Sequence, residues 1–440
     1  MVQPILYSLF REGEFRQLLE TVKKLHPADI VDTLREFPSE EQKEFFFLLP
    51  HEQSAAILQE MELPEATAVL AQMPPGAAAE ILKRMYSDEA VDILAELPKE
   101  KAAKLLTMMK DAGRELEELL LYEEDTSGGL MATEFVAVAE NQTVGGTLAY
   151  LRRISPSTEN AYYIYVLNRD KKLVGVVSLR ELVVAPLATR VGQIMHKDVV
   201  KVPENLDQEE VARVFDKYGF LALPVVDKKG RLMGVITVDD VMEIAEEEAT
   251  EDMQKTASVT PLKTSYKNTG IWTLYSKRIG WLMGLILVNL VSSGVIAAFE
   301  ETLSAVITLA FFIPLLIGTG GNTGCQSATL VVRALVTGDV KLGSWLQTLS
   351  KELAVGLLLG ATLGGAGWVL GLFRGGFHLG LVIGLTMLSI VLLTNLVGMT
   401  VPFILTRLRL DPAVASSPLI TTIADAMGLL IYFSIAAVIL

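Results

Sequence analysis

Pro418-Leu-Ile-Thr-Thr-Ile-Ala-Asp425 lies inside the last long apolar segment of the 440-residue chain, and its reading decides how the rest is understood. The final stretch of about 160 residues holds roughly five segments long enough to span a bilayer. In the interiors of those segments the single ionisable side chain is Asp425, with no Lys, Arg or His to neutralise it. A carboxylate at membrane depth costs at least ~2.5 kcal/mol even on the lenient insertion scale, and it normally faces a cavity, a partner or an ion path. The partner is missing from the chain, which points to a cation supplied from solution. The bland alternative is a protonated Asp hydrogen-bonded between helices.

The two halves of the chain differ in composition. Residues 1–270 hold 46 acidic and 30 basic side chains, whereas residues 271–440 hold 6 and 8. An acidic soluble half disfavours nucleic acid, whose phosphates call for a basic face, and suits metal cations or plain solvation. The one cysteine, Cys325, permits no intrachain disulfide and no thiolate zinc site, and the four histidines have no catalytic or zinc spacing. The first residues lack the apolar core of a signal peptide, so the soluble half is expected in the cytoplasm.

Residues 1–125 read as an acidic, all-α domain with an internal repeat. Pro27, Pro50, Pro74 and Pro98 open similar segments, with half-step echoes at Pro64 and Asp88. Proline at a first helical position and apolar residues three and four apart predict short helices stacked into a superhelix. An acidic connector then ends in Asp125-Thr-Ser-Gly-Gly129, a helix stop and turn. In the second repeat, Tyr165…Val183 matches Pro224…Met242 at a constant offset of 59 residues. Each copy is a β run, a polar turn, a second β run and a helix capped by Ser178 or Thr237. The first copy holds extra residues, expected around 155–160.

This doubled pattern over residues 131–248 resembles a tandem pair of CBS domains, an α+β module. The resemblance implies a site for an adenine nucleotide such as ATP, with a Thr and a nearby Asp on the ribose. Thr237 and Asp240 have those types, whereas the first copy offers Ser178 and Glu181, so ATP is a candidate ligand and not a required one.

From Asp239 to Asp252 there are eight carboxylates and no base. Asp240, Glu243, Glu247 and Glu251 recur at helical spacing, which makes one helix face a line of negative charge. Either it is a solvated face, or its oxygens bind hard cations such as Mg²⁺ or Ca²⁺. The helix is expected to run on through Lys255 towards Tyr266, so that residues 249–270 form a connecting helix.

Candidate spans lie near 279–299, 303–332, 353–373, 379–405 and 413–440. Lys277, Arg278, Arg333, Lys341, Lys351, Arg407 and Arg409 fall on one side and Arg374 on the other. The positive-inside rule then places the amino terminus in the cytoplasm and the carboxyl terminus outside. An odd number of spans predicts a pore built by two subunits about a two-fold axis. In the second span, Pro314-Leu-Leu-Ile-Gly-Thr-Gly-Gly-Asn-Thr-Gly324 is expected to loosen the helix and bring carbonyls near a pathway, unless its glycines serve close packing. Asn322 would add a neutral oxygen, with Asn289 and Asn395 as weaker candidates.

Helical repeats, paired CBS-like modules, an acidic linking helix and a five-helix transmembrane domain at 271–440, in that order, resemble the MgtE family of magnesium channels and transporters. The Gly-Gly-Asn322 and Pro418…Asp425 segments match its pore motifs. The resemblance implies no enzyme but a homodimer in the cell membrane, importing Mg²⁺ and closing when internal Mg²⁺ is plentiful. Asp425, Thr421, Ser417 and Asn322 would line the pore. The acidic residues Asp240, Glu243, Glu247, Glu248, Glu251, Asp252, Asp88, Asp92 and Glu209 would hold regulatory ions. Some members have Asn where this chain has Ser417. Transport of Co²⁺ or Mn²⁺, or a membrane-tethered nucleotide or metal sensor, is the alternative. An intramembrane aspartyl protease needs a second Asp that the spans lack.

Overall fold

The computed structural model describes residues 3–154, 162–262, 266–267, 269–415 and 417–440. It divides into two compact units, Met1–Glu247 and Glu248–Leu440. The extra residues expected at 155–160 lie outside the described residues.

The first unit opens with short helices from Gln3–Arg11 to Asp111–Leu119. Pro27 sits at the first position of the helix Pro27–Leu34, while Pro50, Pro74 and Pro98 stand one residue earlier, as N-caps. Either placement uses a ring that has no N–H to lose. The two-helix period shows in the packing. Pro27–Leu34, His51–Gln59, Pro75–Leu82 and Lys99–Met109 stack in one row, and Ser39–Leu48, Leu63–Gln72 and Ser87–Glu96 in another. Between the rows Leu34, Ile57, Leu58, Leu70 and Ile81 are fully buried.

Two three-stranded sheets follow, β1 (Ala137–Ala139), β2 (Tyr163–Leu167), β3 (Leu173–Ser178) and β4 (Val202–Pro203), β5 (Ala222–Val226), β6 (Leu232–Thr237). The first pair in each sheet is parallel and the second antiparallel. The offset of 59 is exact in the backbone: Tyr163 pairs with Ser178 as Ala222 pairs with Thr237, and each hairpin carries its bulge at the equivalent place. Tyr165, Leu173, Val226, Leu232 and Val235 form a core shared by both copies. The second copy also joins the core of the helical repeats through Val211, Phe215 and Ile236. Ser127 fastens the connector to it, accepting from Leu206 N and donating to Pro203 O at 2.5 Å.

The acidic helix spans Val238–Thr256 and stops there, short of Tyr266. Ser258 takes the left-handed conformation (φ 60°), and Thr260 N donates to Lys277 O, so the chain turns instead of continuing as a helix.

Among the described residues of the second unit four helices are long and apolar enough to cross a membrane. The longest, Trp345–Arg407, is broken at Gly375 and at Gly376, whose φ of 80° and ψ of −170° suit only glycine, and this makes it two antiparallel limbs. Five spans therefore result: Ile271–Ala298, Ile313–Val336, 345–374, 377–407 and Ser417–Ile439. The two limbs pack through a stripe of small residues, with Gly364 against Gly384 and Gly371 against Gly380, where an added methyl would collide.

The second span is not loosened. Pro314 occupies its first turn, and an unbroken helix runs on to Val336. Three of its four glycines instead admit neighbours: Ile390 fills the space over Gly320, Thr421 that over Gly321, and Ile420 that over Gly324, while Gly318 has open space beside it. Close packing explains those three better than a broken backbone does.

Candidate functional site

The fifth span begins at Ser417, and Thr421 Oγ1 donates to the Ser417 carbonyl at 2.9 Å. Cys325 of the second span reaches the same place, its Sγ 3.3 Å from Ser417 O and 3.4 Å from Thr421 Oγ1. Contacts between Gly321 and Thr421 and between Ile317 and Gly428 fix the two spans as antiparallel neighbours. Asp425 follows Thr421 by one turn and is half-buried. Among the described residues no hydrogen-bond donor or cation meets its carboxylate. Ser417, Thr421 and Asp425 thus share one helix face, i to i+4 to i+8, with Cys325 across from its start. Asn322 is exposed, one residue along from Gly321, and does not contact this face through any hydrogen bond among the described residues.

Glu352 flanks the apolar run 353–373 from which the third span is expected, but the helix begins eight residues earlier, at Trp345, which places Glu352 two turns inside it. Its Oε2 accepts from Ser327 Oγ of the second span at 3.0 Å and from Asn395 Nδ2 of the fourth at 2.9 Å. Asn395 also donates to the Glu352 carbonyl at 2.8 Å. Asn395 is therefore a structural polar residue between helices.

A second cluster lies in the first unit. Asp88, Glu89 and Asp92, on the helix Ser87–Glu96, face the start of the acidic helix. Burial, and then the charge of Asp240, pushes the Asp88 carboxyl up to about 8. Burial, and then Asp88 and Asp92, pushes Glu89 to about 9. Burial followed by Glu124, Glu243 and Glu247 takes Asp92 to about 7. Asp240 rises to about 6, mainly by burial, although Thr237 Oγ1 donates to it at 2.5 Å. No base appears among the groups acting most strongly on these four carboxyls. Glu89 was missed in the sequence because helical spacing from Asp88 selects Asp92 and skips the adjacent residue.

Among the described residues no set of three or more His, Cys, Asp or Glu side chains stands in ready ligand geometry. The donor chemistry nevertheless fits a hard cation that keeps part of its water shell and leans on one or two carboxylates. The acidic helix divides its expected ligands. Asp240, Glu243 and Glu247 act on Asp88, Glu89 and Asp92. Glu251 instead pairs with Lys255, whose ammonium also lies 2.7 Å from Asp411, just before the fifth span. Asp252 is raised by burial and then by Asp411. Glu209 pairs with Arg213 at 3.0 Å and is not among the groups that act most on the Asp88 cluster.

Thr237 and Asp240 are engaged with each other through one carboxylate oxygen. Asp240 Oδ2 accepts from both Thr237 N and Thr237 Oγ1, the same capping arrangement that Ser178 makes with Glu181 in the first copy.

A unit of apolar spans carrying a carboxylate that meets no donor or cation among the described residues, joined to a unit with two like three-stranded sheets and an acidic cluster, defines a multi-domain, multi-pass membrane protein. Comparison with known proteins specifies which. A family described as divalent cation transporter matches residues 313–435, the MgtE intracellular N domain matches 25–125, and CBS domains match 128–188 and 191–247. The magnesium transporter MgtE of Thermus thermophilus is 43% identical over 99% of this chain and 98% of its own. That of Enterococcus faecalis is 38% identical over 74% of this chain and 72% of its own. A solved cytosolic domain of the Mg²⁺ channel MgtE in complex with ATP is 40% identical, covering 54% of this chain and 98% of that one, with a TM-score of 0.52. The chain belongs to the MgtE family, a family of transporters and not of enzymes.

Proposed function

We propose that this chain imports Mg²⁺ across the cell membrane through a pore formed by two copies, and that Mg²⁺ on the cytoplasmic side closes it. The observation that carries the reading is the half-buried Asp425 carboxylate, without a partner among the described residues, on the face shared with Thr421 and Ser417. Two such carboxylates across a two-fold axis would hold a hydrated Mg²⁺ without stripping its waters, so the ion can still leave. Thr421 and the Ser417 carbonyl extend the oxygen-lined face, and Asn322 would add a neutral oxygen where the subunits meet. The soluble half and amino terminus lie in the cytoplasm and the carboxyl terminus outside, as the basic residues around the spans favour. Oxygen ligands also admit Co²⁺ and Mn²⁺.

Closure is an electrostatic exchange. Without a cation, and once they are deprotonated, the Asp88, Glu89 and Asp92 carboxylates repel Asp240, Glu243 and Glu247, and Mg²⁺ among them would displace the protons and turn repulsion into attraction. Glu248, Glu251 and Asp252 continue the acidic helix towards Asp411 and so carry the change to the loop before the fifth span. ATP is a further candidate ligand by likeness to the cytosolic domain solved with it. Thr237 and the second carboxylate oxygen of Asp240 are its candidate contacts in the second copy.

Mg²⁺ uptake by proteoliposomes tests the pore assignment. Asp425→Ala and Asp425→Asn should each abolish flux while the protein keeps its oligomeric state, since an amide offers no charge to offset the ion's dehydration. Wild-type flux in either variant would make Asp425 a structural residue.

A further inference from the structure

Glu352 sits where three spans meet, and its surroundings are built. Ser327 and Asn395, each only 2% exposed, direct their donors at one oxygen of its carboxylate. The other oxygen, Oε1, has no hydrogen-bond partner among the described residues. A carboxylate inside a membrane helix is costly enough that its partners carry information. Both partners adjoin the ion-path contact. Ser327 is three residues from Gly324, over which Ile420 of the fifth span and the Thr394 carbonyl both close, at 2.8 and 3.0 Å from the position of an added methyl. Asn395 follows Thr394 directly.

We propose that Glu352 is a positioning residue for the ion path: by accepting from Ser327 and Asn395 it fixes the second span against the fourth, and so sets how the Cys325 turn seats on Thr421 and Ser417. The role is to accept hydrogen bonds and not to carry an ion. Glu352 contributes nothing to the Asp425 face directly. This inference rests on the reading of the fifth span as the ion path, but its first readout does not require ion flux.

Cys325 provides that readout, because it is the single cysteine of the chain and its thiol is held by the Ser417 carbonyl and Thr421. The experiment measures the rate at which N-ethylmaleimide alkylates Cys325 in the full-length protein in proteoliposomes, alongside Mg²⁺ uptake. Losing a hydrogen bond to a charged group shifts a local opening equilibrium about tenfold, so Glu352→Ala should speed alkylation by about that factor and reduce uptake. Glu352→Gln should restore both, since its amide oxygen accepts both donors and its nitrogen takes the place of the unpartnered Oε1. Ser327→Ala, a change too small to prevent folding, should speed alkylation a few-fold. If Glu352→Ala yields no folded protein, Ser327→Ala and Glu352→Gln decide alone. Unchanged alkylation in Ser327→Ala overturns the proposal, as does a Glu352→Gln variant that loses uptake, which would make the charge itself the active feature. Uptake surviving in Asp425→Asn defeats the ion-path reading separately and leaves the alkylation result to judge Glu352.

Discussion

Asp425 and Asp88 are carboxylates under opposite constraints. Asp425 is placed in an apolar span with neutral oxygens from Thr421 and Ser417 nearby, so a mobile cation is the natural source of compensation. Asp88 stands among other acids outside the membrane, and there a proton can serve as well as a metal. Asp88, Glu89, Asp92 and Asp240 are raised to about 8, 9, 7 and 6, well above ordinary carboxyls. The folded arrangement therefore holds more protons than a separated one between about pH 4 and 9, and its stability falls as pH rises through that window. With a chelator present, the thermal midpoint of the full-length protein should drop between pH 6 and 9, and added Mg²⁺ should remove most of the drop. A midpoint that rises with pH in chelator would mean the four acids do not face one another.

The acidic helix shows how far elements can be read from sequence. Its composition and its start were legible, because the Thr237 cap and the 59-residue repeat are local patterns. Its end was legible only in part: Pro261 already argues against a continuous helix to Tyr266, but the stop five residues earlier depends on Ser258 and on a bond to Lys277. The clasp of Lys255 on Glu251 and Asp411 joins residues far apart in the chain, which periodicity cannot see. Lys255→Ala leaves Glu251, Asp252 and Asp411 short of a cation, so protection of the acidic helix from protease should need about two- to tenfold more Mg²⁺, the scale of one ion-pair contact. An unchanged Mg²⁺ midpoint would show the clasp to be incidental. In the membrane unit the glycines were legible as important but not in their role, because only the neighbours Ile390, Ile420 and Thr421 reveal that they admit packing. At Gly376, where no atom lies within 4 Å of an added methyl, the constraint is purely of the backbone. Gly376→Ala should cost about 1–3 kcal/mol, seen as a lower thermal midpoint of the purified protein, and no change there would place the turn in another conformation.

At the scale of the whole molecule, the order of the modules and the family were readable from repeats, charge and two short motifs. The polar contacts that seat one span on another were not. In the proposed function the molecule is a switch that converts cytoplasmic Mg²⁺ into a closed path, and moving a two-state equilibrium from mostly open to mostly closed takes about 5.5 kcal/mol of differential binding. Several weak sites, each coupling by about 1–2 kcal/mol, reach that total, so closure should be steep in Mg²⁺ concentration. The most direct measurement is Mg²⁺ flux through the reconstituted protein as Mg²⁺ on the side of the soluble domains is raised stepwise, in the wild type and in a variant with Asp240, Glu243, Glu248 and Glu251 all replaced by alanine. The wild type should shut steeply while the variant keeps conducting. If both shut at the same Mg²⁺ concentration, the acidic helix is a solvated connector and the gate lies elsewhere.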